Sequence, residues 1–274
     1  MKLDAHQHFW KYNQQDYSWI SGDFMPIAKD FMPKDLKPLL DELGFEGCIA
    51  VQARESLIEN GFLLDLAEKY DFIKGVVGWV DVYSPDMEKQ LAQCAEHHKM
   101  VGIRHITQKE EPDFVMSIDH LAMVKCLSKY EFTYDLLLMP PHIKPSVDLC
   151  LKFHSQPFVV DHIAKPYIKN NLVEPWRSDL KKLADCENVS CKLSGMVTEA
   201  DWDNWKVKQI QEYAEMVIEI FGIERVMIGS DWPVSTLGGD YGKVMNIVID
   251  LINTFSEDEQ KAILGENCSK FYLG

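Results

Sequence analysis

The chain has 274 residues, with 43 acidic side chains against 28 basic ones and a formal net charge of −15. Hydrophobic residues make up 46% and aromatics 11%, which suffices for a full core and excludes a disordered or collagen-like chain. So acidic a chain argues against nucleic acid or an anionic membrane as main partner, because both attract basic surfaces.

Seven cysteines, with no C-x-x-C spacing, predict reduced, mostly buried thiols in a cytoplasmic protein. The start turns polar by Asp4 and predicts no leader peptide. No apolar run approaches the roughly 20 residues of a membrane span.

In chain order, short apolar runs predict strands at Leu3–Phe9, Cys48–Ala53, Lys74–Val80, Val101–Ile106, Thr133–Leu138, Phe158–Ile163, Val189–Ser194 and Val226–Asp231. Most are nearly continuous in aliphatic residues, as strands buried on both faces should be. Helical patterns fall between and after them, at Lys34–Leu43, Ile58–Lys69, Pro85–His98, Ile118–Lys129, Pro145–His154, Trp176–Cys186, Val207–Phe221, Gly242–Phe255 and Glu257–Phe271. The spacing suits strand–helix–strand units of about 30 residues, and eight of them suit a (β/α)8 TIM barrel. A doubly wound sheet would carry a glycine fingerprint after its first strand. Here the first glycine is Gly22, and no G-x-G-x-x-G is present. With no linker or low-complexity segment, the chain is expected to form one domain over 1–274.

Barrel chemistry sits at the C-terminal ends of the strands. The first strand ends in Asp4-Ala5-His6-Gln7-His8. Residues i and i+2 share a face of a strand, so His6 and His8 should point together with Asp4 beneath them. Gln52 and Trp79 end the second and third strands and are candidate pocket residues. Arg104 on the fourth strand is a candidate functional cation, one of only four arginines in the chain. His142 follows the fifth strand. The sixth ends in Val160-Asp161-His162, where alternation puts His162 and Asp161 on opposite faces. Lys192, on the seventh, would either face inward or snorkel to the rim. The eighth ends in Asp231, an acid after a largely apolar run that must be ionised and partnered. Trp10, Tyr12, Tyr17 and Trp19 in the long first loop would stack on a sugar ring or cover the barrel mouth. His6, His8, His162 and Asp231 together suit one zinc-like ion, or an electrophilic cluster with a general base.

Asp4-Ala5-His6-Gln7-His8-Phe9-Trp10, Gly102-Ile103-Arg104-His105, Asp161-His162-Ile163-Ala164-Lys165-Pro166, Lys192-Leu193-Ser194-Gly195 and Gly229-Ser230-Asp231-Trp232-Pro233 occur in an order that resembles the sugar-lactonase-like branch of the amidohydrolase superfamily. That branch holds L-fuconolactonase and L-rhamnonolactonase. The resemblance implies an amidohydrolase-type (β/α)8 barrel that opens a sugar-derived lactone to its aldonic acid. It implies Asp231, His162 and Arg104 as catalytic residues. Substrate contacts would come from Arg104, Trp79, Gln52, Lys192, Trp19, His142 and Trp232. His6, His8, His162 and Asp231 would hold at most one zinc-like divalent ion, and one with which the reaction could dispense. Binuclear members use a bridging Lys or Glu on the fourth strand, where this chain has Arg104. With only Arg54 and Arg104 near the active face, a neutral polyhydroxylated lactone is favoured over a dicarboxylate. The rival expectations are a metal-dependent decarboxylase of the same superfamily and a catalytically silent sugar-binding barrel.

Overall fold

The computed structural model describes residues 1–274. Eight parallel strands run β1 (Leu3–Gln7), β2 (Gly47–Val51), β3 (Ile73–Gly78), β4 (Met100–His105), β5 (Thr133–Leu136), β6 (Phe158–Val160), β7 (Val189–Leu193) and β8 (Val226–Ile228), each beside its sequence neighbour. The ring closes where Gln7 bridges Trp232 in parallel. There His8 N donates to Trp232 O at 2.7 Å, and Asp231 N donates to His6 O at 2.8 Å. All eight expected strands are present and the architecture is the expected (β/α)8 barrel. Most strands end two or three residues before the expected boundary, because the polar residues leave the ladder to form the mouth.

The strands alternate with helices α1 (Pro33–Glu42), α2 (Leu57–Lys69), α3 (Met87–Cys94), α4 (Ile118–Leu127), α5 (Pro140–Lys152), α6 (Trp176–Ala184), α7 (Val207–Phe221) and α8 (Tyr241–Leu251), followed by α9 (Glu257–Lys261) and α10 (Asn267–Tyr272). No helix is long and apolar enough to cross a membrane. Four helices differ from expectation by four residues or more. α8 ends at Leu251, four residues early, where a short 3-10 turn takes over. α3 stops before His97 and His98, which lie exposed in the turn after it. α5 starts five residues earlier than its pattern suggests, because Pro140 and Pro141 occupy the first two helical positions, where a missing N–H costs nothing. The last helix is interrupted at Ala262–Glu266, where Gly265 passes under the first strand. A Cβ there would lie 2.0 Å from Met1 O.

Apolar residues from the outer faces of the strands and the inner faces of the helices form one cluster of 72 buried residues. Inside the ring the apolar set is small: Leu3, Ala5, Ile49, Val51, Val77, Val159 and Met227, with Cys268 and Tyr272 rising from α10. Charged side chains fill the remainder of the interior, which fixes where chemistry can occur.

The loops at the mouth are tied together by Glu59 of α2. Its fully buried carboxyl accepts from Ala53 N at 3.0 Å, Arg54 N at 2.9 Å and Tyr17 Oη at 3.0 Å, joining the loops after β1 and β2. Burial outweighs these donors and pushes the Glu59 carboxyl up from 4.5 to about 7. A carboxyl whose folded value exceeds its unfolded one holds its proton more tightly in the native state. Its contribution to stability therefore declines as pH rises from about 4.5 through about 7. The span corresponds to a few kcal/mol, on the order of 3. Glu59→Gln should flatten that segment of the stability profile. Thermal melts at pH 5 and pH 8 check this; an unchanged difference between the two in the variant refutes it.

Candidate active site

A bulge in β1 builds the first part of the site. Asp4 pairs with Cys48 and Gln7 with Ala50, so three steps on β1 oppose two on β2. The extra residue breaks the simple alternation expected here. The carboxylate of Asp4 accepts from Ser230 N at 2.8 Å, His6 N at 3.2 Å and Tyr241 Oη of α8 at 3.3 Å. It fastens backbone at the β1–β8 seam and orients no imidazole. His6 and His8 do converge, with their Nε2 atoms 3.2 Å apart.

At β6 the departure from alternation is larger. His162, Ile163, Ala164 and Lys165 all have left-handed backbone, with φ of 54°, 50°, 57° and 48°. Each such residue costs roughly 1–2 kcal/mol when it is not glycine. The turn is held by Lys165 N donating to His162 O at 2.8 Å and by Trp176 Nε1 donating to Ile163 O at 2.7 Å. Gly195 leaves the space the turn needs, since a Cβ there would sit 2.5 Å from His162 Nδ1. As a result Asp161 and His162, expected on opposite faces, both serve the interior. Asp231 is left-handed as well, with φ of 55°. Backbone strain thus gathers at the ends of β6 and β8.

Below the mouth lies a closed ionic array. Lys192 Nζ, fully buried, donates to Asp135 Oδ2 at 2.5 Å and lies 3.0 Å from Asp161 Oδ1. Arg104 donates to Asp161 Oδ2 at 2.9 Å. Its second terminal nitrogen donates to the carbonyl oxygen of Gln52 and, at 3.2 Å, to Gln52 Oε1. From α10, Tyr272 Oη donates to Asp135 at 2.8 Å. Burial and the neighbouring Lys192 pull the Asp135 carboxyl in opposite directions, with burial prevailing at about 6. Burial acts on Asp161 too, but Lys192, His6 and Arg104 together hold it well below the usual carboxylate range.

These partners surround His6. One terminal nitrogen of Arg104 lies 3.3 Å from its Nε2, and Lys192 Nζ lies 3.2 Å from its Nδ1, so a donor faces each ring nitrogen. Asp161 Oδ1 also lies 3.2 Å from Nδ1. Burial keeps the His6 ring well below its ordinary value, with Lys192 adding to the effect against Asp161. His8 Nδ1 donates to Val51 O at 2.8 Å, which turns its Nε2 inward. Asp231 Oδ1 lies 3.3 Å from that atom and 3.8 Å from His162 Nε2, while His162 Nδ1 meets Ser194 Oγ at 2.9 Å. Burial alone would raise the Asp231 carboxyl, but His162 and His8 hold it below the usual range, ionised at neutral pH. Burial pushes His162 well down, against the pull of Asp231.

Two imidazole nitrogens 3.2 Å apart beside a carboxylate suit a shared cation or proton. His6, His8 and Asp231 offer ligand atoms within 4.8 Å of one another, as do His6, Asp161 and His162. Imidazole nitrogen with carboxylate oxygen is the donor set zinc takes, so the first group fits one such ion. Asp161 is already engaged by Lys192 and Arg104.

Above the cluster opens a cavity of about 150 Å³. His8, Arg104, His162, Lys165 and Asp231 line its floor and one wall; Trp19, Phe24, Ile106, Leu137 and Val234 contribute apolar surface. Of the expected substrate contacts, Arg104 and Trp19 border it. Gln52 does not: it is buried against the Arg104 guanidinium and carbonyl. Lys192 lies beneath the site in its ion pairs. The carbonyl and N–H of Trp79 are taken by Asn60, and the residue lies outside the cavity lining. His142 spends both ring nitrogens on backbone, at Met139 N and Glu110 O. Trp232 packs on Phe9 and Phe31 in the aromatic layer. Asp161, Asp135, Lys165 and Ser194 were not singled out from the sequence. The available signal for the first two was an isolated acid in an apolar strand, as in Thr133-Tyr134-Asp135-Leu136-Leu137-Leu138.

Comparison with known proteins agrees with this architecture. The chain is 33% identical to an L-fucono-1,5-lactonase of Burkholderia multivorans over 99% of its own length and 96% of that protein. It matches an L-fucono-1,5-lactonase of Burkholderia ambifaria, also at 33%, over 99% and 95%. Crystal structures of a Burkholderia multivorans amidohydrolase, one with bound zinc and one with bound HEPES, superpose with a TM-score of 0.95 at 33% identity, covering 100% of this chain and 99% of theirs. A probable 2-pyrone-4,6-dicarboxylic acid hydrolase of Acinetobacter baumannii shares the fold, with a TM-score of 0.79 at 18% identity. The amidohydrolase family model matches residues 3–273, so the chain belongs to the amidohydrolase family.

Proposed function

We propose that the protein hydrolyses a neutral sugar-derived lactone, of the L-fucono- or L-rhamnono-lactone kind, to its aldonic acid. The observation that carries this reading is an ionised Asp231 facing His8 and His162 in the lining of a small cavity. The full-length likeness to two L-fucono-1,5-lactonases supports the substrate class. Trp19 and Gln108, both in the cavity lining, each keep one polar atom without a partner in the chain, a donor and an acceptor respectively, which suits a hydroxyl-bearing ligand. The cavity wall has no arginine other than Arg104, and that one is already committed to Asp161.

Asp231 accepts a proton from the water that attacks the lactone carbonyl. Negative charge develops on the carbonyl oxygen in the tetrahedral intermediate, where Arg104 and the imidazole of His162 are placed to stabilise it. The proton on Asp231 then passes to the ring oxygen as the acyl–oxygen bond breaks. His6 is held by Asp161, Lys192 and Arg104, with its Nε2 turned toward His8. A divalent ion held by His6, His8 and Asp231 would supply Lewis acidity toward the carbonyl and the water. Arg104 and Lys192 neutralise the Asp161 and Asp135 carboxylates from within, so no second ion is needed for charge balance.

Asp231→Asn keeps the side-chain volume and removes the base. It should lower kcat on L-fucono-1,5-lactone by about 10²–10⁴ with an unchanged melting curve; full activity in a pH-indicator assay refutes the assignment. Metal analysis of the purified protein should give no more than one zinc per chain, with content lost in His8→Ala. Two ions per chain, or a zinc content untouched by that substitution, contradicts the donor set.

A further inference from the structure

We propose that Lys165, positioned by Glu199, is a specificity-determining residue that donates to a ring hydroxyl of the substrate; this rests on the lactonase reading above and deepens it. The strained left-handed turn is the starting point. Of its four side chains, His162 and Lys165 line the cavity, while Ile163 and Ala164 are buried in the core. The turn therefore delivers two polar groups, three residues apart, to one wall. His162 already has a place beside Asp231. Lys165 is the group on that wall which the hydrolytic steps leave unused.

Lys165 Nζ lies 3.0 Å from Glu199 Oε1, with the two side chains only 18% and 19% exposed. Glu199 comes from the turn Met196–Glu199 that follows β7 and Gly195. Both members are thus set by the segments that shape His162, and neither is a loose surface charge. The pair is neutral overall, so it does not demand an anionic ligand. Lys165 borders the cavity, while Glu199 stands behind it outside the lining and takes one of the three N–H bonds of the lysine. A ring hydroxyl accepts one of those that remain. A ligand without that hydroxyl leaves the pair as it is and gains nothing from it.

The test compares two neutral lactones, L-fucono-1,5-lactone and the unsubstituted δ-valerolactone, with the wild-type protein, Lys165→Met and Glu199→Gln. Lys165→Met should lower kcat/KM on the hydroxylated lactone by about 10–100-fold, chiefly through KM, and leave δ-valerolactone within about threefold. Glu199→Gln should act in the same direction by a smaller factor, and melting curves confirm that both variants fold. Equal losses on the two lactones would mean that Lys165 acts on the reacting carbonyl, which overturns the proposal; unchanged kinetics on both overturns it as well. A wild-type protein that turns over δ-valerolactone without preferring the hydroxylated compound refutes this pair alone. Turnover of neither lactone refutes the lactonase reading and the pair together.

Discussion

The buried array Asp135–Lys192–Asp161–Arg104 is the constraint on which the site depends. Two carboxylates face two cations inside a ring of strands, with Lys192 and Asp161 entirely out of solvent. Such an array is costly to desolvate, and the loss of one member leaves an uncompensated charge. The array also holds the His6 ring. Asp161 and Lys192 meet its Nδ1 and Arg104 meets its Nε2, which faces His8. One imidazole at the mouth is thereby oriented by residues on β4 and β7 and at the end of β6.

Much of this was legible in the residues. Eight apolar runs at βα spacing gave the barrel, and polar residues at their ends located the mouth. His6, His8, His162 and Asp231 do meet there. What alternation could not foresee were its own interruptions. The β1 bulge sends Asp4 to Tyr241 of α8, and the left-handed turn after Val160 lets Asp161 and His162 serve the same interior. Both interruptions depend on tertiary partners, Cys48 on one strand and Gly195 and Trp176 on distant segments, that no local window contains. Gln52, His142 and Lys192 lie where they were expected in the chain, but their polar atoms are consumed by protein partners. Position at a strand end says where a residue is and not what it is bonded to.

The outer aromatic layer has a separate role. Trp10, Trp19, Phe31 and Trp232 pack edge to face around the first loop, Tyr17 packs on Trp10 at a tilt, and Trp10 Nε1 donates to Lys29 O at 2.8 Å. Of these only Trp19 borders the cavity. A loop of this length would be mobile without such packing; here it forms a fixed wall, and Glu59 ties it to the neighbouring loop from beneath.

Seven of the eight strand contacts around the ring are ladders of three or more residue pairs, whereas the junction between β1 and β8 rests on one bridge, two backbone hydrogen bonds and the side chains of Asp4 and Ser230. That junction is also where Asp231 meets His8. The hoop is weakest at its clasp, and the clasp carries the proposed base. Mild denaturant that springs it would separate Asp231 from the imidazoles while most helices and strands stay formed, so the proposed activity would be a more sensitive gauge of hoop integrity than circular dichroism.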